Sequence, residues 1–154
     1  LCGMPSSGKT TVGKEIAKVF GKKFIDTDDV VVEKRKESIS DIFEKYGEGE
    51  FRKEERLAIE ELSKENGLVI ATGGGAVLDE NNVRALRRNG VILFLDRSLE
   101  NLVATADRPL SKDKEKLKNL FEKRYDVYKS CADAVIPADG EIADVVEKIK
   151  GVLL

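Results

Sequence analysis

The run Gly3-Met4-Pro5-Ser6-Ser7-Gly8-Lys9-Thr10 has the residue types and spacing of a loop that holds the phosphates of a nucleoside triphosphate. Glycines let the backbone curl until its N–H groups point into one hollow, which suits an anion. A helix opening at about Gly8 adds the positive end of its dipole. Lys9 has the reach and charge for the β- and γ-phosphates, and Thr10 offers a hydroxyl to Mg²⁺. Gly3, Ser6, Ser7, Gly8, Lys9, Thr10 and Thr11 are therefore the expected nucleotide-binding residues. The pattern specifies the nucleotide and leaves the reaction open, since kinases, GTPase switches and ATPase motors share it. The chain has no Asn-Lys-x-Asp guanine signature.

Further along, Phe24-Ile25-Asp26-Thr27-Asp28 ends an apolar stretch in two carboxylates separated by one residue. Continued extended geometry would point both to the same side, one toward Mg²⁺ or its waters and the other toward an acceptor hydroxyl. The plainer reading is a solvated acidic turn or a helix cap. Gly73-Gly74-Gly75 has no obvious packing use and costs backbone entropy. Such a run makes sense where a ligand must approach the main chain, although a loose turn is the bland alternative. Arg52, Arg108 and Arg124 could grip a carboxylate or steady a transferring phosphoryl group. Taken singly, each is also an ordinary surface arginine. Arg108-Pro109-Leu110, in a charged connecting segment, reads as a lid.

These residues must be positioned by short strands alternating with helices. Val12, Ile16, Val19 and Phe20 recur at helical spacing, and Gly21 is placed to end that helix. Phe24-Ile25 predicts a strand, followed by helical material over Val30 to Lys36 and from Ser40, with breaks at Gly47 and Gly49. A longer helix from about Glu50 to Lys64 turns Phe51, Ala58, Ile59 and Leu62 inward. Leu68 to Ala71 reads as a strand buried on both faces, and Val91 to Leu95 is the strongest strand in the chain. Asp79 is expected to cap a helix bearing Val83 and Leu86, and Lys112 to Lys129 forms another. Ala134 to Ile136 makes a last strand before an amphipathic helix marked by Ile142, Val145, Val146 and Ile149. The alternation predicts an α/β fold around a mostly parallel sheet, with ligands at the carboxyl ends of its strands.

The 154 residues suit a single domain, 1–154, and a formal charge of −2 gives no sign of a nucleic-acid surface. The absence of histidine removes Ser-His-Asp and Cys-His catalysis, and two distant cysteines read as free thiols in a reducing compartment. No apolar run has membrane-span length and no signal peptide is evident, so a cytoplasmic protein without membrane contact is expected. Only Leu1 and Cys2 precede the phosphate loop. The expectation is a truncated first strand, with upstream residues missing or the domain cut from a longer fused chain.

The order of phosphate loop, Asp26-x-Asp28, Phe51-Arg52, Gly73-Gly74-Gly75, Arg108-Pro109-Leu110, then Arg124-x-x-x-Tyr128 and Ala-Asp closely resembles the shikimate kinases over essentially the whole chain. The resemblance implies a P-loop three-layer sandwich of the nucleoside-monophosphate-kinase type, with a five-stranded parallel sheet flanked by helices and a short lid. It implies ATP-dependent phosphorylation of the 3-hydroxyl of shikimate with Mg²⁺. Asp28 would hold that hydroxyl and act as its base, with Lys9 and Arg108 as further catalytic residues. Arg52 and Arg124 would clamp the carboxylate, Gly73, Gly74 and Gly75 would meet the ring hydroxyls, and Asp26 would join Thr10 at the metal. Arg108 would come in with the lid, and Pro137 to Gly140 would lie near adenine. The chain departs from the family where Val103-Ala104-Thr105 replaces a lid arginine and where Ser6 replaces a glycine, a change expected to cost little. A gluconate kinase or a catalytically weak nucleotide-binding domain are the alternatives, and the oligomeric state is left open.

Overall fold

The computed structural model describes residues 1–105 and 114–154. The lid residues Arg108, Pro109 and Leu110 lie outside the described residues, as do the first two positions of the helix expected from Lys112.

Among the described residues, four short strands form two parallel pairs. Strand β1 (Lys23–Asp26) pairs with β2 (Leu68–Ala71), and β3 (Leu93–Asp96) pairs with β4 (Ala134–Pro137). The five-stranded sheet expected from the resemblance is therefore not what forms. The position between the pairs is taken by Leu1 and Cys2, which are too few to make a strand but are hydrogen-bonded on both sides. Thr72 N–H donates to the Leu1 carbonyl at 3.0 Å, while Cys2 N–H donates to Leu93 O and Leu95 N–H to Cys2 O, each at 2.9 Å. The order across the molecule is β1, β2, Leu1–Cys2, β3, β4.

Side chains alternate across this layer, as extended backbone requires. Leu93 and Leu95 face a core with Val12, Ile16 and Ala17 of α1 (Lys9–Val19) and Val145, Val146 and Ile149 of α8 (Ile142–Leu153). Phe94 and Cys2 face the opposite core with Leu102 of α6 (Leu99–Thr105) and Leu117 and Tyr128 of α7 (Lys114–Cys131). Helices thus cover both faces, giving the three layers. A third cluster joins Val31 of α2 (Thr27–Arg35), Ile42 of α3 (Ile39–Tyr46), and Phe51 and Ala58 of α4 (Glu48–Leu62). The last helix of the set, α5 (Glu80–Arg88), follows a 3₁₀ turn at Ala76–Leu78.

Local sequence explains the boundaries. Helix α1 ends where Gly21, at φ 60°, adopts the left-handed conformation. There Lys22 N–H reaches Ala17 O at 2.8 Å and Gly21 N–H reaches Lys18 O, the double bond of a Schellman cap. Within α1, Gly13 lets the helix lie against Phe24, since a Cβ there would stand 2.9 Å from the ring's Cδ2. Three boundaries differ from expectation. Helix α2 starts at Thr27, because Asp26 caps it by accepting from Asp28 N–H at 2.9 Å. Gly49 does not interrupt α4, which starts at Glu48 right after the single break at Gly47. Strand β3 starts at Leu93 rather than Val91, and Val91 is exposed, as are Val19, Tyr46 and Ile142.

Candidate active site

The phosphate loop leaves the middle of the layer at Cys2 and enters α1 through Gly8, whose φ of 94° makes the turn. Ser6 also sits at positive φ, 65°, a conformation that costs an L-residue roughly 1–2 kcal/mol. The replacement of glycine at this position is therefore not cheap, contrary to expectation. Lys9 folds back over the loop, its ammonium donating to Gly3 O at 2.9 Å, Met4 O at 2.7 Å and Ser7 Oγ at 3.4 Å. The Thr10 hydroxyl donates to Asp26 Oδ2 at 3.2 Å, so the loop's threonine and the first carboxylate of the Asp-x-Asp pair do meet. Thr11 is exposed on the outer side of α1, beside Lys14, Lys18 and Phe24.

Asp26 is both cap and loop partner, so the plainer reading as a helix cap holds for it. Because the helix starts at Thr27, Asp28 sits in the first turn of α2 rather than on extended backbone. It projects toward Gly73 from a helix N-terminus, where the dipole favours a negative charge.

The triple glycine is crowded by side chains of this chain. A Cβ on Gly73 would lie 2.7 Å from Glu55 Oε2 and 2.9 Å from Asp28 Oδ1. On Gly74 it would meet Pro5 Cδ at 3.1 Å and Arg124 Nη1 at 3.2 Å, and on Gly75 it would meet the Arg52 guanidinium, with Cζ at 2.8 Å. Asp28, Arg52 and Arg124, scattered through the sequence, thus converge on one strap of backbone beyond the carboxyl end of β2. Two buried hydroxyls hold the strap: Gly73 N–H donates to Thr27 Oγ1 at 3.0 Å, and the Tyr128 hydroxyl donates to Gly74 O.

Glu55 was not among the residues expected here. It is 1% exposed and pairs through Oε1 with Arg52 Nη1 at 2.9 Å. Burial pushes its carboxyl above the usual range; the Arg52 guanidinium opposes this, the Asp28 charge adds to it and Arg124 opposes it. Burial likewise pushes Tyr128 up to about 12, against the charge and hydrogen bond of Arg124. Signals for both were present in the sequence. Glu55 follows Phe51 and precedes Ile59 by four residues, on the inward face of α4, and Tyr128 follows Arg124 by one turn. Arg108 lies outside the described residues.

The shikimate kinase family model matches residues 5–153. The chain belongs to the shikimate kinase family. A shikimate kinase of Clostridium botulinum (strain Alaska E43 / Type E3) is 41% identical, aligning 100% of this chain and 95% of that protein. Among solved structures, shikimate kinase from Acinetobacter baumannii in complex with shikimate superposes with a TM-score of 0.92 at 32% identity, covering 99% of this chain and 90% of that one. A gluconokinase from Sinorhizobium meliloti 1021 reaches 0.62 at 18% identity, covering 96% and 85%, which shows a shared fold and nothing more. As a member of the shikimate kinase family, the chain is a phosphotransferase with the α/β P-loop kinase fold.

Proposed function

We propose that this chain transfers the γ-phosphoryl group of ATP to the 3-hydroxyl of shikimate, with Asp28 as the acceptor's base. The observation that carries this reading is the convergence of one carboxylate and two guanidinium groups on the Gly73–Gly75 strap, close to the phosphate loop at Pro5. Shikimate offers what such a pocket would take: a carboxylate at one end for paired arginines and ring hydroxyls elsewhere. Arg52 and Arg124 bind the carboxylate, and the strap backbone meets the ring hydroxyls. Asp28 accepts the proton of the attacking hydroxyl as the P–O bond to ADP breaks and the new one forms. Lys9 leaves the loop carbonyls for the β- and γ-phosphates, and Arg108 meets them from the lid. The protein's contribution is then positioning and charge rather than covalent chemistry.

The Thr10 hydroxyl and Asp26 carboxylate are adjacent hard oxygen donors, of the kind Mg²⁺ takes while keeping waters and phosphate oxygens in the rest of its shell. When bound there, Mg²⁺ would neutralise charge developing on the phosphates. Cytoplasmic location belongs to the same proposal. No helix among the described residues is long and apolar enough to cross a membrane.

A coupled assay of ADP release with Mg·ATP, comparing shikimate, gluconate and no acceptor, tests the reading. Release should require shikimate. Asp28→Asn should lower kcat on the order of 10²–10⁴-fold while leaving the fold intact. Gluconate-dependent release without a shikimate response would overturn the assignment.

A further inference from the structure

A run of three glycines has no side chains to fix it and more backbone freedom than any other tripeptide. Its shape must come from hydrogen bonds: besides the local turn in which Ala76 N–H donates to Gly73 O at 3.1 Å, two hydroxyls from distant elements bond to its first two members. Gly73 N–H is taken by Thr27, fully buried at the start of α2, and Gly74 O by Tyr128, fully buried in α7. Each hydroxyl sits beside a residue that the proposed function places on the acceptor. Thr27 precedes Asp28, and Tyr128 lies one turn after Arg124, whose charge acts on its hydroxyl. The Tyr128 ring is fixed in turn by stacking on Phe94, with centroids 5.2 Å apart, next to Cys2 at the root of the phosphate loop.

We propose that Thr27 and Tyr128 are positioning residues for the acceptor, two buried hydroxyls that set the Gly73–Gly74 backbone in register with the carboxylate of Asp28 and the guanidinium of Arg124. The inference rests on the reading that this pocket takes shikimate. Neither hydroxyl touches the acceptor or loses its proton. Each fixes the distance between the strap and a group on its own helix. A misplacement well under the length of a bond is enough to weaken a pocket built from three separate elements.

The test uses the whole chain with Thr27→Val, Thr27→Ser and Tyr128→Phe, recording kcat and both KM values together with the melting temperature. Val keeps the shape of Thr but leaves the buried Gly73 N–H without an acceptor, and Phe keeps the ring stacked on Phe94. Both should raise the shikimate KM on the order of tenfold, the scale of one unsatisfied buried group, while the ATP KM stays within about twofold. Thr27→Ser restores the hydroxyl and should restore the shikimate KM. The proposal is overturned if both KM values move together, if Ser and Val behave alike, or if the shikimate KM is unchanged. A wild-type chain that does not turn over shikimate would remove the functional reading and this inference together. Active wild type with unaffected variants would remove the inference alone.

Discussion

Glu55 illustrates how a single residue can serve a site without facing solvent or substrate. Its carboxyl sits at 1% exposure with Oε1 committed to Arg52, and it supports one of the two guanidiniums that converge on the strap. Burial is the main reason its folded pKa lies above the ordinary Glu value. A raised folded value means that the group contributes most to stability below the usual range of about 4.3 and loses that contribution as pH rises through the folded value. Glu55→Gln abolishes this titration. Thermal melts of the two proteins from pH 4 to 8 should therefore show the wild-type advantage shrinking as pH rises. An advantage that grows with pH would mean the Arg52 pair outweighs burial.

At the scale of elements, α5 depends on one cap. Asp79 accepts from Asn81 N–H at 2.9 Å and pairs with Arg56 of α4, tying two helices behind the strap. Partial burial works against its charge, but the Asn81 and Arg56 hydrogen bonds outweigh it and hold the carboxyl below its usual value. That stability is present above the ordinary Asp range and is lost as pH falls through the lowered value. Asp79→Ala should cost about 1 kcal/mol near neutral pH and less in acid, measured by denaturant unfolding. This cap was legible in the sequence because Asp before a helical pattern is a local signal. So were the strands Leu68–Ala71 and Ala134–Ile136, although Leu68 and Ile70 are only half-buried and Val135 is exposed, and the inward face of α4 at Phe51, Ala58, Ile59 and Leu62. What stayed hidden depends on partners distant in the chain. The Asp26 cap advanced the start of α2, Leu1–Cys2 joined two pairs of strands without becoming one, and the burial of Glu55 is completed by the approach of Gly73 from beyond β2.

For the whole molecule, the ligand should act as added cohesion. Arg52 and Asp28 lie on helices connected with β1 and β2, whereas Arg124 lies on α7, packed against β3. Shikimate bound by all three would bridge the two sides. At about 100 times its dissociation constant it should stabilise the fold by roughly 2.7 kcal/mol. A calorimetric scan with and without shikimate checks this, and an unchanged transition would argue against the pocket.

Among the described residues, the main-chain hydrogen bonding of the two strand pairs is joined through Leu1 and Cys2, the same stretch from which the phosphate loop springs. In mechanical terms this line is a seam: the proposed nucleotide cradle is anchored on it, and the proposed acceptor jaws, Asp28 and Arg52 on one side and Arg124 on the other, stand on either bank. Any yielding of the seam would widen the gap between the jaws and tilt the cradle at once. Amide exchange at Thr72 and Leu95, whose N–H groups donate across that line, therefore gauges how firmly the donor and acceptor sites are held in mutual alignment.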